Sequence, residues 1–317
     1  MSFAVPAGEL VLHHYPMSPF AEKVRLVLGA KRLAWRSVHI PVVMPKPDVV
    51  ALTGGYRKTP VLQIGADIYC DTALICRVLD ARAPEPTLYP RAIDGAAQLL
   101  AQWADATLFW AAVPYALQPG TAPEVFGKLP PEQIKAFAVD RAALRPNALR
   151  PNFLDAGVAL RHHLGWLESL FADGRSHLAG TALSIADFAV AHPLWFVHRV
   201  PSLRAEIDAH PHLRAWLEAM LAFGNGDATP MTSTEAIELA ASSVERAPVE
   251  VEPGLGFDAG ADVTVTPTDY GFDPVAGRLV GLSRDSVTVE RRDDRAGTLQ
   301  VHFPRIGFQI RKQETKP

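Results

Sequence analysis

The alternation of apolar and polar positions divides the chain into three regions, and the first runs from residue 9 to about residue 80. Its apolar runs ELVLHHY and AWRSVHIP predict strands, and TPVLQIG and DIYC predict a hairpin that turns at Gly65 and Ala66. The periodic segments PFAEKVRLVLGAK, PDVVALTGG and DTALICRVLDAR predict helices between and after them. This order predicts a small mixed sheet with helices packed on it.

The second region follows the proline-rich segment APEPTLYP and extends from about residue 91 to residue 246. Apolar residues recur there at helical spacing, alanine is frequent, and no run alternates as a strand would. Ser184 and Asp187 have the spacing of a capping box at the start of one of these helices. We predict an all-helical domain.

The third region begins at about residue 249 and contains five short alternating runs separated by glycine, aspartate and proline. These runs predict a small all-β, barrel-like module that folds independently and docks on the helices, rather than an added edge of the first sheet. The predicted domains are therefore residues 1–84, 91–246 and 249–317.

Composition excludes several classes of function. The chain has 317 residues and a net charge of -3, without the basic surface that nucleic acid or an anionic membrane would require. No apolar stretch approaches the roughly 20 residues that span a bilayer, and the N-terminus lacks the features of a signal peptide. The two cysteines, Cys70 and Cys76, form neither a disulfide framework nor a metal motif, and we expect Cys70 to be a small buried core residue rather than a reactive thiol. A cytoplasmic protein is predicted.

Ser18 is the first candidate for chemistry. It precedes the helix that begins at Pro19, where serine is a preferred N-cap and proline is favoured at the first helical position. Capping alone explains a serine at this place. A catalytic role therefore needs support from other residues.

Two further positions suggest a binding site in the first region. Thr59-Pro60 opens a predicted strand, and a cis bond there would turn the backbone groups of Thr59 toward a ligand. Asp71 and Thr72 begin a predicted helix, whose N-terminal amides favour an anionic group. The basic residues that could supply positive charge here, or simply belong to the solvated surface, are Lys46 and Lys58.

Together these motifs resemble the glutathione transferase superfamily. The matching pieces are SPFAEKVRLVL after the first strand, KTPVLQI, the dipeptide DT before the third helix, and SIADF, in the expected order. The resemblance implies an α/β thioredoxin-like N-terminal domain over residues 10 to about 80. It also implies an all-helical domain over residues 91–224, and the C-terminal β module lies outside the common pattern.

The resemblance assigns roles to the candidate residues, with glutathione as co-substrate and no metal. Ser18 becomes the catalytic residue, whose hydroxyl hydrogen-bonds the glutathione sulfur. Thr59, before a cis Pro60, corresponds to the residue whose backbone pairs with the cysteinyl part of glutathione. Asp71 and Thr72 correspond to the pair that holds the γ-glutamyl group, although aspartate is one methylene shorter than the usual glutamate.

Lys46 and Lys58 match basic positions that reach the glycine carboxylate of glutathione in some classes. The resemblance also implies an apolar acceptor pocket opposite Ser18. Aromatic residues at helical spacing are equally explained as core, so both interpretations stay open for the helix that carries three of them. The expected pocket residues are Tyr15, Met17, Phe20, Phe109, Trp110 and Tyr115.

The resulting prediction is a homodimeric glutathione transferase-like enzyme that activates the thiol for attack on an electrophilic, apolar acceptor. Two alternatives remain. One is a non-catalytic glutathione-binding protein whose β module recruits a partner, and the other is a glutathione-dependent isomerase or dehalogenase. The β module could cover the pocket, extend a dimer surface or bind a partner, and its sequence does not select among these roles.

Overall fold

In the computed structural model, which describes residues 5–144 and 152–313, a single ten-stranded sheet runs through all three predicted regions. Its spatial order is β10-β6-β7-β8-β9-β4-β3-β1-β2-β5. The strands are β1 (Val11–His14), β2 (Ala34–His39), β3 (Val61–Ile64), β4 (Asp67–Cys70), β5 (Asp227–Pro230), β6 (Asp262–Pro267), β7 (Val275–Leu282), β8 (Ser286–Asp293), β9 (Gly297–Pro304) and β10 (Phe308–Lys312).

The thioredoxin-like domain has the predicted arrangement. β1 pairs in parallel with β2 and antiparallel with β3, and β3 and β4 form the predicted hairpin. Three helices pack on this sheet: α1 (Pro19–Ala30), α2 (Pro47–Thr53) and α3 (Thr72–Arg82). Side chains alternate between the two faces, so that Leu12 joins the core under α1 and α3 while Val11 joins a smaller cluster with Val49 of α2.

The second region is predominantly helical, as predicted. Its helices are α4 (Asp94–Trp103), α5 (Phe109–Ala116), α6 (Ala122–Phe126), α7 (Pro131–Ala143), α8 (Phe153–Leu170), α9 (Ile185–His198), α10 (Arg204–Asp208), α11 (Pro211–Leu221) and α12 (Ser233–Ser242). A π-helical turn, Ala104–Leu108, joins α4 to α5. The predicted capping box is present, because the backbone N–H of Ser184 donates to Asp187 at 2.9 Å. Within the described residues, no helix combines the length and apolarity that crossing a membrane requires.

The prediction that the second region contains no strand is wrong at one place. β5 pairs in parallel with β2 and forms the edge of the sheet. The chain reaches this position by passing against the end of α1, where a Cβ on Gly29 would lie 2.2 Å from the carbonyl oxygen of Gly224. Only a glycine at position 29 permits this approach. The polar, proline-ended run of β5 has no alternating pattern, so its pairing depends on this tertiary contact.

The C-terminal β region is confirmed, but its predicted independence from the first sheet is wrong. β9 pairs in parallel with β4, with Ile68 opposite Val301, so the module extends the first sheet. An unpaired β4 would expose a row of backbone donors and acceptors, and β9 satisfies them. The junction also buries a polar chain in which His302 contacts Asp67 Oδ1 at 2.7 Å and Thr288 Oγ1 at 2.9 Å.

The described core consists of two large clusters on opposite faces of the sheet and one small one. The first joins α1 and α3 to the helical domain, mainly through α9. The second joins α2 and α12 to β6–β9. The thioredoxin-like domain is therefore packed on both sides, and its loops meet helices and C-terminal strands at the site described next.

Candidate functional site

Ser18 is the N-cap of α1, as its position predicts. Its side-chain oxygen accepts a hydrogen bond from the backbone N–H of Ala21 at 3.2 Å, and only 2% of the residue is exposed. Among the described residues, none accepts the hydroxyl hydrogen of Ser18. The hydroxyl thus remains a donor at the positive end of a 12-residue helix and lines a cavity.

The Thr59-Pro60 bond is cis. A cis bond here is what the prediction of a ligand-facing Thr59 backbone requires. Thr59 Oγ1 accepts a hydrogen bond from Lys46 Nζ at 3.2 Å. Lys46 is only 4% exposed, and burial lowers its pKa to about 8, helped by the nearby charge of Arg141. Thr59 lines both cavities described below, so it lies at their common boundary.

The first cavity encloses about 270 Å³ between the thioredoxin-like domain and helices α5 and α7. Its polar lining residues are Ser18, Lys46, Arg57, Lys58, Thr59, Asp140 and Arg141. The apolar and aromatic residues that line it are Tyr15, Met17, Pro19, Phe20, Phe109, Trp110, Val113, Pro114, Leu117, Phe137, Leu144, Phe196 and Tyr270. An apolar molecule therefore fits beside the Ser18 hydroxyl.

The second cavity adjoins the first and encloses about 170 Å³. It contains Pro60, Asp71 and Thr72, at the start of α3. Asp71 caps this helix by accepting from the backbone N–H of Ala73 at 2.9 Å, and its φ of 77° is rare for a residue other than glycine. Burial raises the pKa of Asp71, although Lys58 opposes the shift. A cationic group in this cavity would stabilise the Asp71 carboxylate.

A buried ion network lies behind the second cavity and was not found from the sequence. Lys23 Nζ donates to Asp105 Oδ2 at 2.5 Å and to Thr72 Oγ1 at 3.3 Å, and His192 Nε2 contacts Asp105 Oδ1 at 3.0 Å. Burial disfavours the charge on Lys23, yet Asp105 raises the pKa of this ammonium above its usual value. Burial likewise opposes ionisation of Asp105, but Lys23 and His192 hold the pKa of Asp105 below its usual value. The network connects α1 and α3 to the helical domain.

A second ion cluster, close to Lys46, lines the first cavity and was not found from the sequence. Arg57 donates to Asp140 Oδ1 at 2.6 Å, and Arg141 forms an ion pair with the same carboxylate. Arg141 also donates to the hydroxyl of Tyr15 at 3.0 Å. With Lys46 and Lys58, four cationic side chains and one carboxylate line the first cavity.

The C-terminal β region also contributes to the site. Lys58 Nζ lies 2.5 Å from Asp269 Oδ1 and 4.0 Å from the ring centre of Tyr270. Asp269 and Tyr270 line the second cavity, and Tyr270 lines the first as well. No motif in these residues distinguishes them from ordinary turn residues, so only the fold identifies them.

The structure brings together all but one of the residues predicted for the site. Ser18, Lys46, Lys58, Thr59, Tyr15, Met17, Phe20, Phe109 and Trp110 line the first cavity, and Lys58, Thr59, Pro60, Asp71, Thr72, Phe20 and Trp110 line the second. The placement of Tyr115 in the acceptor pocket is corrected. Its ring packs against Gly157 of α8, and its hydroxyl donates to Glu206 at 2.6 Å.

Neither cysteine reaches the site as a reactive group. Cys70 and Cys76 are fully buried free thiols, and burial raises the pKa of both. Both therefore stay protonated, as expected for small core residues. Among the described residues, no group of histidine, cysteine, aspartate or glutamate has the arrangement of a metal site.

Comparison with known proteins matches both of the first two domains. Residues 12–87 match the domain family "Glutathione S-transferase, N-terminal domain", and residues 137–219 match "Glutathione S-transferase, C-terminal domain". A solved structure described as a GST-like protein from Pseudomonas syringae superposes with a TM-score of 0.80 and 40% identity. The superposition covers 97% of this chain and 100% of the chain in that structure, so the similarity includes the C-terminal β region.

Two curated relatives match parts of the chain. FtsZ-localized protein A of Caulobacter vibrioides is 30% identical over 188 residues, which are 58% of this chain and 75% of that protein. Pyrimidodiazepine synthase of Drosophila melanogaster is 35% identical over 88 residues, which are 26% of this chain and 36% of that protein. The second similarity is therefore confined to a small part of either chain.

Proposed function

The chain belongs to the glutathione S-transferase family, and from this premise we propose that it is a homodimeric, cytoplasmic glutathione transferase. In this proposal Ser18 activates the glutathione thiol for attack on an electrophilic acceptor held in the first cavity. The observation that carries it is the Ser18 hydroxyl, a donor at the N-terminus of α1 that opens on an apolar cavity.

The chemistry asked of Ser18 is modest. A free thiol has a pKa near 8.5, so only about 3% is thiolate at pH 7. Lowering the pKa by about two units makes thiolate the main form, for roughly 2.7 kcal/mol of differential stabilisation. A hydroxyl hydrogen bond and the positive end of α1 act on the sulfur in the same direction.

The remainder of glutathione is assigned to the polar residues around Thr59. Asp71 and Thr72 hold the γ-glutamyl group, Thr59 pairs with the cysteinyl backbone beside Pro60, and Lys46 and Lys58 reach the glycine carboxylate. Three features support this path: the cis Thr59-Pro60 bond, the buried carboxylate of Asp71, and the buried ammonium of Lys46. The acceptor then lies against the aromatic side of the first cavity.

A thiolate absorbance titration of the glutathione complex tests the proposal, with product analysis for an electrophilic aromatic acceptor. We expect the bound thiol to titrate about two pH units below free glutathione. Ser18→Ala should return that pKa toward the free value and lower kcat about 25-fold at pH 7, the ratio of the two thiolate fractions, with glutathione affinity changed by no more than a few-fold. Ser18→Thr keeps the hydroxyl and should retain activity.

Ser18→Asp separates capping from catalysis, because aspartate caps helices but cannot donate a hydrogen bond when ionised. We expect this variant to be inactive and to lose some stability, because its carboxylate replaces a hydroxyl that is only 2% exposed, and thermal unfolding measures that loss separately from activity. If Ser18→Ala conjugates at the wild-type rate, Ser18 is a cap only and the catalytic assignment is wrong. Isomerised or dehalogenated products would assign the alternative reaction instead.

The similarity to FtsZ-localized protein A supports a second candidate function. In this second function, the chain binds glutathione without turnover, and its C-terminal β region recruits a protein partner. Saturable glutathione binding, together with no activity across acceptor classes, would favour this candidate over the transferase.

A further inference from the structure

The loop between β6 and β7 leaves the C-terminal sheet and reaches the candidate site. The backbone N–H of Thr268 donates to the carbonyl of Gly307 at 2.9 Å, and that of Gly271 donates to the carbonyl of Leu144 at 2.7 Å. One end of the loop is thus attached to its own β region and the other to the end of α7. A Cβ on Gly271, whose φ is 62°, would lie 3.2 Å from Leu144, so glycine suits this contact.

Tyr270 sits at the centre of this loop and contacts both other domains. Its ring stands edge-on to Trp110 of α5, with ring centres 5.7 Å apart, and Lys58 Nζ lies 4.0 Å from its centre. Lys58 is also paired with the neighbouring Asp269 at 2.5 Å. Tyr270 is therefore held from two sides and lines both cavities.

Tyr270 belongs to none of the three clusters of the described core, and its ring instead faces the two cavities. The aromatic residues of the same region that do pack in the second cluster are Phe303, Phe308 and Phe257. The position of Tyr270 is explained by the cavities rather than by core packing.

We propose that Tyr270 is a specificity-determining residue and that the C-terminal β region completes the active site. Its ring forms part of the wall that the two cavities share. On one side the ring covers the bound peptide, and on the other side it limits the size of the acceptor. The identity of the substrates in this inference rests on the proposed transferase function. The presence of Tyr270 in the wall of both cavities does not depend on it. The C-terminal region then supplies a part of the active site that the thioredoxin-like and helical domains do not provide.

The test compares full-length Tyr270→Ala, Tyr270→Phe and Phe272→Ala. Phe272 is an exposed aromatic residue of the same segment that lines neither cavity, so its variant controls for loss of an aromatic ring near the loop. Three quantities are measured: glutathione affinity by calorimetry, kcat and KM for small and bulky aromatic electrophiles, and binding of the neutral probe N-phenyl-1-naphthylamine. Thermal unfolding confirms that each variant is folded.

Tyr270→Ala should raise KM for the small acceptor about tenfold, with kcat nearly unchanged, because an aromatic wall contact is lost. It should also raise the kcat/KM ratio of bulky to small acceptor about tenfold and weaken probe binding by a similar factor. Tyr270→Phe and Phe272→Ala should behave as the wild type. Wild-type acceptor preference in Tyr270→Ala, an equal effect of Phe272→Ala, or failure of Tyr270→Phe to restore the wall would each overturn the proposal.

The probe separates this inference from the proposed function. If the wild type does not bind glutathione, the transferase function fails, while a weaker probe affinity in Tyr270→Ala alone still supports the wall. If glutathione binds and turns over, but probe binding and acceptor preference are the same in Tyr270→Ala as in the wild type, the proposed role of Tyr270 is wrong and the transferase function stands.

Discussion

The two cavities share the residues Phe20, Lys58, Thr59, Trp110 and Tyr270 but differ in chemical character. The first is mainly apolar, and its charged residues are four cations, Lys46, Arg57, Lys58 and Arg141, and one carboxylate, Asp140. The second is smaller and contains three carboxylates, from Asp71, Asp105 and Asp269, beside one lysine. An amino-acid ammonium suits the second cavity and an electron-rich sulfur suits the first. Under the proposed transferase function, the contrast predicts that anchoring of the peptide and activation of its thiol can be changed separately.

The difference has a structural cause. The first cavity opens where the N-terminus of α1 meets aromatic residues of α5. The second is backed by the Lys23 network, which lets Asp105 remain ionised near Asp71.

Lys23→Met removes the buried cation behind the second cavity. Asp105 then loses its charged partner and keeps only His192, and a buried ion pair broken on one side costs about 3–5 kcal/mol of unfolding free energy. Urea denaturation of the full chain measures the loss. Lys128→Met, at an exposed lysine, is the control and should change stability by less than about 0.5 kcal/mol. A loss as small in Lys23→Met would show that the network does not support the cavity.

Asp71→Ala should weaken glutathione binding by about 1.5–3 kcal/mol, since it removes a charge-assisted partner of the γ-glutamyl ammonium. Calorimetry provides the affinity. Asp71→Asn keeps the helix cap and tolerates the positive φ, so it isolates the charge. Equal affinity in Asp71→Asn and the wild type would place the ammonium elsewhere, whereas kcat should stay unchanged in both variants at saturating glutathione.

Lys46 gives the first cavity a dependence on pH. Its pKa of about 8 means that it is charged below this pH and neutral above it. If it binds the glycine carboxylate, affinity for S-methylglutathione should fall about tenfold between pH 7 and pH 9. The S-methyl group removes the titration of the thiol. Lys46→Arg keeps its charge throughout this range, so it should remove the part of the fall that Lys46 causes and leave only the part caused by titration of the γ-glutamyl amine. A profile identical to that of the wild type would remove Lys46 from the binding site.

Tyr115→Phe should have the smallest effect. It deletes the hydroxyl that Glu206 and Arg161 contact, away from both cavities, and costs about 0.5–1.5 kcal/mol of stability. Kinetics should show the same kcat and KM as the wild type. A tenfold change in either parameter would contradict the placement of Tyr115 outside the acceptor pocket.

Much of the first domain was predictable because its signals are local. The strand alternation, the Ser18 cap, the glycine that ends α2 and the β3–β4 turn each depend on a few neighbouring residues. The same holds for Asp71 at the start of α3 and for the capping box at Ser184. Local hydrogen bonds and helical or strand periodicity determine these elements, so a single chain is sufficient to find them.

The errors involve contacts between distant segments. β5 is a polar run that becomes a strand only because Gly29 lets the chain approach α1 and β2. Tyr115 has the same helical spacing as Phe109 and Trp110, but α8 and Glu206 occupy its side of α5. Periodicity assigns a residue to a helix, and does not say which neighbour covers each face.

The sequence alone determined the thioredoxin-like and helical domains, the strands of the C-terminal region, and most residues of the candidate site. The tertiary structure decided that β9 pairs with β4, that Lys23 meets Asp105, and that Tyr270 reaches Lys58 and Trp110. Capping and periodicity act over one or two turns of chain, and they are encoded in adjacent residues. The open edge of β4, the buried charge of Lys23 and the cavity wall at Tyr270 each depend on residues that are distant in sequence. Such contacts form only when the whole chain packs, so adjacent residues do not encode them.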